Sequence, residues 1–346
     1  MSIPAELALP EVPELDDVDR AILSALATNG RASWADVGTA AGCSGSTAQR
    51  RFQRLRDAGY VKVIATSDVL ASGFGLSVEL RVTCGASGTD PVVAALGARD
   101  EVRFLATLTG SADLVAQLVV SDHHQLERLL HELFSDTGAQ TEALTTLRTF
   151  TVPFAALPGV AALPAAAKLE ASTVPNAAIP DPRVEEGVAP LSASATALER
   201  AVFENLIDDG RLPLVDLARA VGQSEGVVKR ILDALVSSGR VRVGPLVAPA
   251  LFDLNTELTV WVSVAPDRLS DAARQLATHP AVAYAAATAG RYNLVAQVFL
   301  HDVSAIYDFT TAVLGALPGV REVDVAIQLT THKRMWARLE EGRFAS

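Results

Sequence analysis

The chain has 346 residues, a net charge of −11 and a pI near 5.1, with 49% hydrophobic and 20% charged residues. That length suits two to four compact units, the apolar fraction excludes a globally disordered chain, and the acidic balance excludes a protein that coats nucleic acid regardless of sequence. Two cysteines, Cys43 and Cys84, stand in no metal or redox spacing, which fits a reducing cytosol without a disulfide framework.

Residues 1–14 are acidic and broken by proline, so they read as an N-terminal tail rather than a signal or transit peptide. From there "DDVDRAILSALATNG" sets Val18, Ile22, Leu23 and Leu26 on one helical face and stops at Asn29-Gly30. "SWADVGTAAG" is a short second helix ending at Gly42. Ser44 can cap a third helix running to Ala58-Gly59, and "YVKVIATSDV" alternates as a strand. Helix, helix, glycine turn, helix, strand is a winged helix-turn-helix order, over 15–70.

The pattern then changes. Strands are expected at 76–83, 101–109, 113–120 and 141–150, with helices near 90–98 and 122–135. That order, βαββαβ, predicts a ferredoxin-like domain over 71–152. Residues 153–193 hold seven of the 17 prolines, too many for a long helix or a central strand, and read as a linker. Its most apolar stretch, "VPFAALPGVAALPAAAKL", is cut by Pro153, Pro158 and Pro164, which excludes a membrane-spanning helix of about 20 uninterrupted residues.

Beyond the linker the chain repeats itself at a constant offset of 180 residues. Gly30-Arg31 maps onto Gly210-Arg211, Gly42 onto Gly222, Ser44 onto Ser224, Arg50 onto Arg230 and Gly59 onto Gly239. Far downstream, "GSADLVAQL" still lies over "GRYNLVAQV". A second winged helix-turn-helix is therefore expected at 194–250, a second ferredoxin-like domain at 251–334, and a C-terminal tail at 335–346. The fold class is α+β, two tandem units.

The chemistry concentrates on the third helix. Ala48, Phe52 and Leu55 share a face at spacings of four and three and should pack inward. Ser46, Gln49, Arg50, Gln53 and Arg54 then look outward with Arg51 at the flank, and Ser44, Thr47 and Lys62 lie beside them. Arginine reads guanine bidentately, glutamine reads adenine, and the remaining cations hold phosphates, so this face suits the major groove of double-stranded DNA. In the second copy Ile231 replaces Arg51, Ala234 replaces Arg54 and Gly226 replaces Ser46, leaving Lys229 and Arg230. Its DNA contact should be weaker, with the first copy the dominant reader.

"LDDVDRAILSAL", "NGRASWADVGTAAGCSGSTAQRRFQRLRDAGYV" and the "TGSADL" turn, with their copy-2 counterparts, resemble the feast/famine (Lrp/AsnC) transcription regulators over nearly all the chain outside linker and tails. The resemblance implies a DNA-binding domain joined to a RAM domain that dimerises through its sheet and often senses an amino acid. It further implies an effector loop at Gly110 to Asp113, where a glycine admits close backbone approach and an aspartate can meet a ligand ammonium. In copy 2 that loop carries Gly290, Arg291 and Asn293, and a neutral amide supplies no such charge. The alternative for Gly110 to Asp113 is an ordinary hairpin turn whose aspartate caps backbone groups.

Family members usually carry one unit and dimerise, so this chain is expected to be a built-in pseudo-dimer, to pair its two ferredoxin-like sheets face to face within one chain or between chains, and to form a homo-oligomer such as a dimer of pseudo-dimers. Sirohaem decarboxylases resemble the same fold with an arginine-rich, histidine-bearing site. Here the turns read "NGRASW" and "DGRLPL" and the expected strands carry no histidine. No cofactor is expected: no nucleotide-binding glycine loop and no nucleophile with a matching base is present. His124, Glu127 and His131 share a helical face without a further ligand, so no metal site is assigned.

Overall fold

The computed structural model describes residues 12–86, 88–135, 137–151, 176 and 194–345. The expected linker 153–193, Asn176 apart, and most of the tail 1–14 lie outside the described residues.

Unit 1 comprises α1 (Asp17–Thr28), α2 (Trp34–Ala40), α3 (Gly45–Asp57), β1 (Val61–Thr66), β2 (Leu76–Thr83), α4 (Asp90–Gly97), β3 (Val102–Leu108), β4 (Leu114–Val120), α5 (His123–Phe134) and β5 (Gln140–Thr149). Unit 2 repeats the order with α6 (Ala197–Ile207), α7 (Leu214–Ala220), α8 (Glu225–Ser237), β6 (Arg242–Val247), β7 (Thr256–Val264), α9 (Leu269–Ala277), β8 (Val282–Ala289) and β9 (Leu294–Leu300). It closes with α10 (Ala305–Asp308), which runs on as a π-helical turn, then β10 (Val320–Arg334), β11 (Ala337–Glu340) and β12 (Arg343–Phe344).

Local signals set the helix ends. Asp16 caps α1 in a box with Asp19, Ser33 caps α2, and Ser44 caps α3 through the Thr47 N–H. Gly42 at φ +69° and Gly222 at +68° make the same left-handed turn before α3 and α8, a conformation that costs other residues a Cβ clash.

The strand after each third helix does not fold back as a wing of its own unit. Instead β1 pairs antiparallel with β6, from Val61 opposite Val247 to Thr66 opposite Arg242. This ribbon fuses the two helix-turn-helix domains into one core, in which Ile22, Leu26, Phe52 and Ile64 of unit 1 join Val202, Phe203, Leu232 and Val243 of unit 2. The seam is tight. A Cβ on Gly30 would lie 2.5 Å from the Val243 carbonyl oxygen, and one on Gly210 would lie 2.8 Å from Ile64. Next to them Arg31 donates to the Gly210 and Leu212 carbonyls at 2.6 and 2.8 Å. Arg211 returns the same bonds to Gly30 and Ala32. The repeated "GR" is therefore a reciprocal clasp.

Within each ferredoxin-like domain the strand order is the expected one, β3-β4-β2-β5 and β8-β9-β7-β10. The edges do not remain open. β5 pairs with β8 and β10 pairs with β3, so eight strands close into a barrel that spans both units. Val78, Leu80 and Val82 point outward, under α4 and α5, and Leu258, Val260 and Val262 do the same under α9. The two inner faces meet inside the chain, around Phe104, Val115, Leu144, Trp261, Tyr292 and Val295.

The inner face is not uniformly apolar: Ser77, Glu79 and Arg81 alternate with the valines and leucine of β2, and all three are buried. The expected C-terminal tail is also corrected. Residues 335–345 turn back as β11 and β12, whose Ala337 and Phe344 join the helix-turn-helix core, and the Phe344 N–H donates to the Gly59 carbonyl at 2.7 Å.

Candidate nucleic-acid interface and ligand cavities

On α3 the inward residues Ala48, Phe52 and Leu55 are buried, while Ser46, Gln49 and Arg50 are exposed. Arg50 has no hydrogen bond or ion pair to a described residue. Ser44 and Thr47 are occupied in capping, with the Ser44 hydroxyl 3.0 Å from Ser46 and 2.9 Å from Thr47. Gln53 is half-buried beside them, and Lys62 occupies the one half-exposed position of β1.

Arg51 and Arg54 are not free cations. Arg51 bonds Asp16 at 2.7 Å and Asp19 at 3.1 Å, and Arg54 bonds Asp19 at 2.8 Å. The Asp19 side chain is 1% exposed, so both guanidiniums serve first to neutralise a buried carboxylate at the start of α1. Asp16 is held below the usual carboxylate range, first by the Asp19 backbone N–H and then by Arg51. Asp19 escaped the sequence reading because its partners lie more than thirty residues away. Unit 2 has an analogous tie: Glu199 caps α6 and accepts from Arg240 at 2.7 Å.

The outer face of α8 is electrically balanced. Lys229 is paired with Asp233 at 2.5 Å, Glu225 occupies the first turn, and exposed Arg230 remains.

The turns expected to hold an effector lie at the barrel mouth remote from the helix-turn-helix pair. Gly110, at φ +95°, and Gly290 open the two turns. Asp113 does not face the mouth as a free charge: it accepts the Cys84 N–H at 2.7 Å. Asn293 bridges the N–H and carbonyl of Val264 at 2.8 and 2.9 Å. Both side chains splice the turn to a neighbouring strand, the capping alternative for Asp113. The mouth itself is a cavity of about 640 Å³ where Arg81, Ser111, Glu142, Arg291, Glu322 and Asp324 converge. Arg81 bonds Asp324 at 2.6 Å and Glu142 at 3.1 Å, and Arg291 bonds Glu322 at 2.6 Å.

At the opposite end, under the ribbon, lies a second cavity of about 70 Å³, walled by residues of both units. Sequence reasoning missed it, because its polar residues occupy strand positions that otherwise read as solvent-facing. Among the described residues no group of three or more His, Cys, Asp or Glu could hold a metal ion; His124, Glu127 and His131 are exposed on α5. β10 extends further than expected and carries His332, so the barrel strands do include a histidine. Its Nε2 lies 2.8 Å from the Thr107 hydroxyl, and it does not line the second cavity.

The Lrp/AsnC ligand binding domain matches residues 77–152 and again 257–336, the AsnC-type helix-turn-helix domain matches 15–56, and a winged helix-turn-helix DNA-binding domain matches 196–242. Similar relatives are two HTH-type transcriptional regulators of Mycobacterium tuberculosis. Rv2324 is 30% identical over 135 residues, 38% of this chain and 91% of the relative; LrpA is 32% identical over 138 residues, 39% of this chain and 92% of the relative. The chain belongs to the Lrp/AsnC family. Each Lrp/AsnC relative spans about one of its two units. The tandem layout has a counterpart in the crystal structure of the siroheme decarboxylase NirDL, which superposes with a TM-score of 0.59 over 92% of this chain and 93% of that one. At 14% identity that likeness extends to the fold alone. No helix among the described residues is long and apolar enough to cross a membrane.

Proposed function

We propose that the chain is a cytoplasmic, sequence-specific regulator of transcription that binds double-stranded DNA and responds to a small-molecule effector. The observation that carries this reading is the outer face of α3. Ser46, Gln49 and Arg50 are exposed there, on a helix-turn-helix fixed by a shared core and ribbon to its twin. Arg50 and Gln49 supply base recognition, with Gln53 beside them; Ser44, Ser46, Thr47 and Lys62 approach phosphates. Arg51 and Arg54, already tied to Asp16 and Asp19, shape the face and add a damped positive field.

Unit 2 contributes weakly, through Arg230 and the Asp233-paired Lys229. Palindromic recognition then needs two chains, each giving one strong reading head, so the DNA-bound form is a homodimer of pseudo-dimers. An amino acid is the effector best suited to the mouth between the Gly110 and Gly290 turns. There Arg81 and Arg291 stand among Glu142, Glu322 and Asp324, groups of both signs to meet a carboxylate and an ammonium.

Selection of genomic fragments on the full chain, followed by sequencing, should enrich one motif. On that operator Arg50→Ala should cost about 1–3 kcal/mol and relax specificity, whereas Lys229→Ala and Arg230→Ala together cost less. No enriched motif, or equal losses from the two helices, refutes the assignment.

A further inference from the structure

The cavity under the ribbon contains a buried cation without an anion. Arg103, on β3, is 6% exposed. Its guanidinium donates to the Met335 sulfur at 3.0 and 3.2 Å and to the Thr66 hydroxyl at 3.3 Å, and stacks over Trp336 at 5.2 Å. A thioether is a weak acceptor, and among the described residues Arg103 has no carboxylate in ion-pair reach. The carboxylate of Asp68, at the rim, accepts the Ala71 N–H at 3.0 Å in a turn. The other cavity arginine, Arg334, is already balanced by Glu257 at 2.5 Å. Four further groups in the wall are buried and unsatisfied among the described residues: the Ser67, Ser77 and Thr146 hydroxyls and the Arg334 Nε–H. Leaving a buried guanidinium without an anion and four buried groups without a hydrogen-bond partner costs several kcal/mol in a folded protein, and such groups are ordinarily matched by something.

The backbone is bent to make this arrangement. Met335 and Trp336 form the two-residue turn between β10 and β11 at φ +49° and +67°, where asparagine and glycine are the usual occupants. That unfavourable turn places the Met335 sulfur on Arg103 and Trp336 beneath it. The wall also has an apolar part, with Leu246, Val69, and Phe104 and Phe299 beneath the Arg334 guanidinium at 6.0 and 5.0 Å.

The cavity also straddles the relation between the units. Gln117 and Gln297 both line it, as do Phe104 and Tyr284, and Arg103 and Ala283, each pair at the 180-residue offset. A cavity shared by two identical chains would carry the cation twice. Fusion has let one side keep it and the other become small.

We infer that this axial cavity is a second ligand site, distinct from the mouth, that takes one small organic carboxylate. Its carboxylate accepts from Arg103, the Ser67 hydroxyl and Arg334 Nε, and its hydrocarbon part lies against Phe104 and Phe299. Because Leu246 in the β1–β6 ribbon and Ser67, directly after β1, flank the site, an occupant touches barrel and helix-turn-helix pair together.

The test uses the full-length protein and a probe series small enough for a cavity of about 70 Å³, acetate, acetamide and ethylamine, read by calorimetry and thermal shift at constant ionic strength. Acetate should bind with one equivalent per chain, at least about tenfold more tightly than either analogue, as expected for a charge-assisted hydrogen bond. Arg103→Met should abolish that preference, and Ser67→Val should weaken acetate alone. If Arg103→Met fails to fold, the probe series on wild type and the Ser67→Val variant still decide. Equal binding of acetate and acetamide, unchanged acetate binding in Arg103→Met, no binding at tens of millimolar, or an equal shift from chloride would each overturn the inference. None of these outcomes bears on DNA binding or on the mouth.

Discussion

Glu79 lies midway along the barrel interior, 2% exposed, with its Oε1 accepting the Trp261 indole N–H at 2.5 Å. Burial pushes its carboxyl from an ordinary 4.5 up to about 7, while the Trp261 bond and the Arg81 charge pull less strongly the other way. Between those two values the folded state holds the proton and the unfolded state has released it. Stability therefore falls as pH rises through the window, being fully retained below about 4.5 and lost above about 7. At about 1.4 kcal/mol per pH unit the whole effect is on the order of 3 kcal/mol. Glu79→Gln keeps an oxygen for Trp261 and has no proton to lose. Urea denaturation of both proteins from about pH 5 to about pH 8 should show the variant gaining on wild type by on the order of 3 kcal/mol. His279 and His332, whose values burial lowers, titrate in the same range with the opposite sign, but they do so in both proteins and cancel in the difference. A wild-type-minus-variant difference that stays flat across the range would refute a protonated Glu79 in the barrel.

Two further predictions concern the helix-turn-helix pair. Arg51→Ala with Arg54→Ala strips Asp19 of its guanidinium partners, so the melting temperature should fall by several degrees and recover in part when Asp19→Ala is added; a melting curve identical to wild type would separate these arginines from the fold. Gly30→Ala drives a methyl into the Val243 carbonyl and should cost about 1–3 kcal/mol in equilibrium denaturation, with the same sign for Gly210→Ala; an unchanged midpoint would mean that the seam is looser than described.

The duplication, the helix-turn-helix order and the strand order of each sheet were legible because local signals carry them: the cap at Ser44, glycine turns at Gly42 and Gly222, and period-two alternation in β2 and β7. The barrel closure was not. "LSVELRVT" reads as a strand with one wet face, since Ser77, Glu79 and Arg81 alternate with apolar residues. That this face is interior depends on unit 2 standing opposite. The short β11 and β12 carry too few residues for any periodicity, and they are held by a backbone bond from Phe344 to Gly59, nearly three hundred residues earlier. Arg51 and Arg54 read as free for a similar reason: the helix period gives the face of a side chain but not its distant partner.

Where the two units face each other, fusion has changed what can be placed on the axis between them. Arg81 and Trp261 occupy equivalent positions, yet the Arg81 guanidinium stacks over the Trp261 ring at 4.4 Å while Trp261 donates to Glu79. Two identical chains would have to set arginine near arginine, or tryptophan near tryptophan, and satisfy each contact twice. One chain with two copies is released from that condition, so a cation can be stacked on an aromatic ring and a carboxyl buried beside it without a duplicate of either. The same freedom extends to the ends of the assembly. Arg103 faces Ala283 across the axial cavity, and on the DNA side the basic face of α3 is matched by an α8 whose Lys229 is cancelled by Asp233. The units share a fold because their cores are alike, and they differ at the positions where a symmetric dimer would be forced to repeat itself.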